Sequence, residues 1–333
     1  MESIHQQIEA EYRHIREQNE RERKRRIALV YAKYPRIREL EEETYRAYSS
    51  LAANLFGKTP LAEQDNQKIT QLQQEKKKLL RQAGYEDTYL DTIYTCPDCQ
   101  DTGYIRTKPC HCYHDKKRYY LYQAANLTPV MQQQSFDQFS LKYYSKEILP
   151  GGASAYDYME SNLGICKEFV SKGEYQQGKN LFLYGSPGLG KTFLCSCIAQ
   201  SLLQREVPVL YQTAYRLFSV LEDARFKKDE TSEALSKQFY DIPVLMIDDL
   251  GTEFVTSYTS AVLFDLINAR VQNKKSTVIS TNLDLAQIKE QYSDRVQSRI
   301  FGDFQILQFF GNDIRKQKII NEPTAADPNS SFF

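Results

Sequence analysis

The sequence predicts an α/β protein: a parallel sheet flanked by helices, preceded by a helical region and a small cysteine-rich module. Three observations carry this reading. Between residues 125 and 321, the apolar runs "NLFLYG", "VPVLYQTA", "IPVLMIDDL", "STVISTN" and "FQILQFF" alternate with amphipathic helical patterns. Runs apolar on both faces belong to strands buried on both sides, as in a parallel sheet covered by helices. Residues 1–90 are instead rich in Glu, Gln, Arg and Lys, with a thin apolar stripe of helical period. Between the two zones, "TCPDCQDTGYIRTKPCHCYH" holds four of the chain's seven cysteines within residues 95–114.

Composition narrows the function classes. The 333 residues suit one sizeable core plus a smaller module, at about 150 residues per domain. Lys+Arg 43 balances Asp+Glu 43, so no global positive field holds nucleic acid or a membrane. Nucleic-acid binding then requires a local patch or several copies acting together. The N-terminus "MESIHQQIEAEYRHIREQNE" is charged throughout and lacks a signal-peptide core. No apolar run approaches the roughly 18 residues that span a bilayer. These features predict a cytoplasmic protein without a membrane segment, in which clustered thiols stay reduced and serve metals rather than disulfides.

The N-terminal region, residues 1–90, places Ile15, Ile27, Val30, Ile37, Leu40 and Tyr45 among many charges, with Gly57 and Pro60 as its clearest interruption. So weak a stripe fits either a solvated helical hairpin or a surface that binds a partner. The run "RERKRR" lies among glutamates and reads as a solvated face.

Residues 91–116 form the second zone. Cys96-x₂-Cys99-x₁₀-Cys110-x-Cys112 has the spacing of a compact zinc site. Four thiolates at about 2.3 Å hold Zn²⁺ tetrahedrally and staple a module too small to own a core. The closing C-x-C pair is tight, so His111 or His114 is an alternative to one sulfur. Four protein ligands leave no open coordination position, which makes the site structural. Cys166, Cys195 and Cys197 read as ordinary buried residues.

The third zone, residues 125–321, carries the chemistry. "LFLYGSPGLGKTFLCSCIAQSLL" matches G-x-x-x-x-G-K-[ST] between an apolar strand and an apolar-periodic helix. Its residues Gly185, Ser186, Pro187, Gly188, Leu189, Gly190, Lys191, Thr192 and Phe193 form a loop whose backbone N–H groups turn inward on a phosphate. Lys191 reaches the β- and γ-phosphates of ATP, and the Thr192 hydroxyl serves Mg²⁺. In "PVLMIDDL", Asp248 emerges at the strand end to hold the Mg²⁺ waters, and Asp249 orients the attacking water. Glu253 is the alternative for that last role. "STVISTN" ends in Thr281 and Asn282, where a polar side chain meets the γ-phosphate or the water, because such strand ends face the ligand crevice. The tail 322–333, "EPTAADPNSSFF", reads as disordered.

"GSPGLGKT", "LMIDDLGTE", "STNL", "DRVQSRIFG" and "GNDIR", in that order, resemble the DnaC/DnaI-like bacterial helicase loaders. These are AAA+ ATPases related to DnaA and to IstB, and the resemblance extends over residues 130–320. The first two motifs are shared with many phosphate-loop proteins; the full ordered set is the specific signal. The resemblance implies that "SFDQFSL" lies near the adenine, with Phe136 and Phe139 as its aromatics. It implies Asn282 as sensor 1, Arg299 as the arginine finger with Arg295 as competitor, and Arg315 as sensor 2. A guanidinium against the γ-phosphate stabilises the charge that spreads in the transition state.

The same resemblance implies the function: an ATPase that loads a hexameric replicative helicase onto single-stranded DNA, its N-terminal helices and zinc module engaging the helicase. The alternatives are an IstB-like transposon or phage targeting ATPase, and a non-catalytic zinc adaptor switched by ATP. The adaptor alternative stays open because Asp249 stands where many such ATPases carry Glu. About twenty residues follow "FQILQFF", too few for the helical lid that closes most AAA+ sites. The expectation is therefore self-association on ATP binding, with the finger supplied by a neighbour.

Overall fold

The computed structural model describes residues 3–54, 61–227 and 230–321. The expected interruption at Gly57 and Pro60 and the tail 322–333 lie outside the described residues. The chain divides into two compact units, one ending at His114 and the other beginning at Asp115.

The first unit contains α1 (Ile4–Lys33), α2 (Pro35–Asn54) and α3 (Leu61–Gln82), then a hairpin of β1 (Tyr104–Ile105) and β2 (Lys108–Pro109), and the start of α4 (His111–Ala124). Ser3 and Gln6 form a capping box that satisfies the first free N–H groups of α1. Of the stripe, Val30, Ile37 and Leu40 are buried and Ile15 and Ile27 half-buried; Val30 and Ile37 form one cluster with Leu80 and Leu90. α2 and α3 run antiparallel, with Arg36 paired to Glu75 at 3.1 Å and Ser50 bonded to Asp65 at 3.0 Å. Exposed ion pairs such as Arg36–Glu75 contribute little, so the apolar stripe holds the helices together. Tyr45 departs from the expected pattern, being 75% exposed. Ile8 and Tyr12, which the stripe had not included, are buried.

The second unit opens with α5 (Pro129–Gln132) and α6 (Ala155–Ser171). There follow β3 (Asn180–Tyr184), α7 (Lys191–Gln204), β4 (Val209–Thr213), α8 (Ala214–Phe226) and α9 (Glu230–Asp241). β5 (Val244–Leu250), α10 (Ser257–Gln272), β6 (Ser276–Thr281), α11 (Leu285–Tyr292), α12 (Asp294–Asp303), β7 (Phe304–Gln308) and α13 (Ile314–Asn321) complete it. Each of the five apolar runs is a strand. They form one parallel sheet in the order β4-β5-β6-β3-β7. The connection after β3 leads to one edge and that after β6 to the other. The loop following β3 therefore sits where connections diverge, which is where open α/β sheets bind ligands. Cys166, Cys195 and Cys197 are buried as expected.

A buried cation clamps the amino ends of β5 and β6. Arg270, on α10, is fully buried, and among the described residues its partners are carbonyls and a hydroxyl rather than a carboxylate. Its guanidinium donates to the carbonyls of Phe239 at 2.7 Å and Ile242 at 3.0 Å, to that of Ser276, and to Thr277 Oγ1 at 3.0 Å. Burial lowers it to about 9. Removing the donors leaves several buried carbonyls unpaired, at about 1–3 kcal/mol each. Arg270→Met is therefore expected to destabilise the sheet unit by about 3–5 kcal/mol, with Arg270→Lys in between. Urea denaturation followed by circular dichroism measures this; a loss near zero would show that the carbonyls find other donors.

Candidate functional site

The loop after β3 runs from Gly185 to Gly190, and α7 begins at Lys191. Gly188 has a left-handed φ of 78°, and a side chain there would collide with the Asp313 carboxylate. The Ile314 N–H donates to the Gly188 carbonyl at 3.0 Å, so the start of α13 packs on the loop. Lys191 is 5% exposed, and its ammonium donates to the carbonyls of Gly185 at 2.6 Å and Ser186 at 2.8 Å. Burial lowers it to about 8, against the opposing pull of Asp249 and Asp248.

A cavity of about 360 Å³ opens on this loop. That is within the ordinary size of a small-molecule site. Pro187 to Phe193, Asp249, Asn282 and Arg315 all line it. The loop, two strand ends and the last helix thus converge on one space. Gly185 and Ser186 turn their carbonyls to Lys191 instead.

Asp248 and Asp249 owe their placement to a β-bulge. Ile247 pairs with Ile279 and Leu250 with Thr281, so two residues of β5 oppose Ser280 alone. Asp249 takes a left-handed φ of 55°. Bulges re-aim side chains beside functional sites. Asp248 does not line the cavity; its carboxylate accepts from Thr192 Oγ1 at 3.2 Å, from the Tyr211 hydroxyl at 2.6 Å and from the Ser280 hydroxyl. The Asp249 N–H donates to Ser280 Oγ at 3.1 Å, and its carboxyl faces the cavity. Burial, reinforced by the neighbouring Asp248 charge, raises that carboxyl above the usual carboxylate range. Glu253 is set aside as its substitute: it accepts from the Gly251 N–H at 3.0 Å and from the buried Tyr292 hydroxyl, and does not line the cavity.

At the end of β6, Thr281 is engaged structurally, donating to the Leu250 carbonyl at 2.6 Å, whereas Asn282 faces the cavity. Arg315 reaches the cavity from α13 beside Lys318, which motif reasoning had not included. Arg299 does not line it. Its guanidinium bonds to Asp303 at 3.2 Å and to Asn268, and lies over the Phe264 ring. Arg295 is exposed and likewise outside. Of the two expected aromatics, Phe139 lines the cavity and Phe136 does not. Phe139 stacks on Tyr144 at 5.9 Å, and Tyr144 donates to the Leu189 carbonyl at 2.8 Å. Tyr143, Tyr144, Tyr211 and Ser280 were missed by motif reasoning. The aromatic "KYY" following "SFDQFSL" was a usable signal for the first two; no local signal marks the others.

In the first unit, the Sγ atoms of Cys96, Cys99, Cys110 and Cys112 lie within 4.8 Å of one another. Cys96 and Cys110 sulfurs are 3.8 Å apart, and those of Cys99 and Cys112 3.4 Å. A tetrahedron with arms of about 2.3 Å has edges of about 3.8 Å, so the donor set fits zinc. His111 sits on the rim, its Nδ1 3.4 Å from Asp98 and 3.5 Å from the Cys110 sulfur. Cys96, Asp98 and His111 make a smaller, more exposed donor group; His114 belongs to neither. Around the cluster, the buried Asp101 carboxylate accepts from the N–H groups of Thr95 at 2.9 Å and Cys96 at 2.7 Å. The Tyr12 hydroxyl lies 3.0 Å from the Cys112 sulfur. Gly103, with φ 80°, lets the loop pass the Tyr12 ring, which an added Cβ would meet at 2.6 Å.

Among the described residues, no helix is long and apolar enough to cross a membrane. Residues 156–320 match the family model of IstB-like ATP binding proteins. The chain is 30% identical over 124 residues to the replicative helicase loader DnaI of Bacillus subtilis, covering 37% of this chain and 39% of that protein. It is 22% identical over 179 residues to the replicative helicase loader DnaC of Escherichia coli K12, covering 54% of this chain and 67% of that protein. A crystal structure of the DnaC helicase loader superposes with a TM-score of 0.46 at 23% identity, over 55% of this chain and 100% of that one. Residues 156–320 are thus similar to IstB-like ATP binding proteins, and the chain spans about two fifths of the length of DnaI, a replicative helicase loader it resembles.

Proposed function

We propose that this protein is an ATPase that loads a hexameric replicative helicase onto single-stranded DNA. The observation that carries the reading is the convergence of Lys191, Asp249, Asn282 and Arg315 on one cavity, with Arg299 outside it. Lys191 gives up its two loop carbonyls to pair with the β- and γ-phosphates. Thr192 and Asp248, whose oxygens lie 3.2 Å apart, would hold Mg²⁺, the threonine hydroxyl directly and the carboxylate through its waters. When bound, that ion neutralises charge on the β- and γ-phosphate oxygens. Asp249 takes the proton of the attacking water, its raised carboxyl bringing it nearer to the working pH of a general base. Asn282 holds the water or the γ-phosphate, and Arg315 stabilises the developing charge.

Arg299 lies on α12 with its side chain partly exposed and away from its own chain's cavity. On this reading it completes the pocket of a neighbouring copy, so hydrolysis requires assembly. The N-terminal unit, with its zinc-stapled module, engages the helicase.

Lys191→Ala is expected to abolish binding of a fluorescent ATP analogue, and an unchanged affinity would remove the phosphate assignment. Asp248→Asn should retain nucleotide but lose Mg²⁺-dependent hydrolysis. Arg299→Ala should bind ATP nearly normally and hydrolyse it poorly, since such fingers contribute about 10³–10⁵ in rate. Mixing Arg299→Ala with Lys191→Ala, each inactive alone, should restore activity, because some interfaces then combine an intact lysine with an intact arginine. No recovery from mutants shown to co-assemble would place the finger within its own chain or nowhere.

Elemental analysis should find about one Zn²⁺ per chain. Cys99→Ser should lose the metal and expose residues 94–115 to proteolysis, while nucleotide binding persists. Protein purified without chelator that carries no metal, with freely reactive cluster thiols, would overturn the zinc assignment.

A further inference from the structure

One buried polar atom of a cavity-lining residue has no hydrogen-bond partner among the described residues. Gln134 follows α5 and lines the cavity with Gln138, Phe139 and Phe193. Gln138 is already engaged, its Oε1 accepting from the Ser135 N–H at 3.3 Å. Gln134 Oε1, by contrast, is the one buried side-chain nitrogen or oxygen among the described residues without a hydrogen-bond partner. Native folds pair nearly all such atoms, so an orphan beside a ligand cavity points to a group that the ligand brings.

The surroundings say which group. Phe139 lies beside two other rings, with Tyr144 at 5.9 Å and Phe193 at 6.0 Å. Tyr144 is itself fixed by its bond to the Leu189 carbonyl. These rings offer planar faces against which a nucleobase packs. The unpaired atom is an acceptor, so its missing partner is a donor. Adenine carries an exocyclic amine beside a ring-nitrogen acceptor, and a glutamine carboxamide matches that pair with its oxygen and NH₂ together. Guanine presents a carbonyl oxygen at the same position, which would set acceptor against acceptor.

We propose that Gln134 selects adenine, with Oε1 accepting from the exocyclic amine and Nε2 donating to the adjacent ring nitrogen. The inference rests on the ATP-binding reading of this cavity. It makes Gln134 a specificity-determining residue on the segment leading into the domain, away from the phosphate loop and both acidic residues.

Competition titrations on the full chain test it, displacing a fluorescent ATP analogue with ATP, GTP or purine riboside triphosphate, which lacks the amine. Wild-type protein should prefer ATP to both by about 10-fold or more, the size of a bidentate amide–base contact. Gln134→Leu should bind all three equally, at the level wild type shows for the amine-less nucleotide. Gln134→Glu, which keeps the acceptor and loses the donor, should still prefer ATP to the amine-less nucleotide. A Gln134→Leu protein that keeps the wild-type ratio overturns the inference and leaves ATP binding standing. Equal wild-type affinity for ATP and the amine-less nucleotide overturns it without any variant, should the variants fail to fold. Failure of wild type to bind any of the three removes the underlying reading instead.

Discussion

Ser280 donates its hydroxyl to Asp248 at the point where β5 carries one residue more than β6, and both aspartates take their positions from that serine. In unbroken pairing, Asp248 and Asp249 would point to opposite faces of the sheet. The extra residue keeps Asp248 off the cavity wall while Asp249 turns towards the cavity, its N–H tied to the same serine oxygen. Hydroxyls from α7, β4 and β6 then satisfy a buried carboxylate that would otherwise be costly to hold away from water. Two acidic side chains side by side in a half-buried place also repel, and that repulsion adds to burial in raising Asp249.

The opposite end of the same strands is held as firmly by different chemistry. Arg270 gathers carbonyls from the end of α9, from Ile242 just after it and from the first residue of β6. A sheet pinned at its amino ends gives the carboxyl ends a fixed frame, which is what a preorganised site needs. The phosphate loop inherits this rigidity through β3, which pairs with β6 on one side and β7 on the other.

The N-terminal unit follows another strategy. Its helices are too charged to build a large core; one seam closes around Val30, Ile37, Leu80 and Leu90, with Ile8, Leu40, Ile69 and Leu72 buried beyond it. The cysteine loop compensates with directional contacts. Asp101 fastens the backbone ahead of Cys96, and Asn19 and Arg16 of α1 fasten Asp101 in turn. A small module arranged this way is held by directed hydrogen bonds where buried apolar surface is scarce.

Features with a local physical cause were legible in the chain alone. The five strands announced themselves because strands buried on both faces leave uninterrupted apolar runs. The loop ahead of α7 did so because its glycines, Lys191 and Thr192 are contiguous, and the cysteine cluster because its four members fall within residues 96–112. Only the tertiary structure decided the rest. Thr192, Tyr211 and Ser280 reach Asp248 from 56, 37 and 32 residues away, and no periodicity records such meetings. Glu253, equivalent to Asp249 as a string of letters, is removed from the cavity by Tyr292 and a backbone N–H. Phe136 and Phe139 share a motif, yet only the second faces the cavity. Gln134 carried no motif at all, because an unpaired buried oxygen exists only once the chain around it has folded.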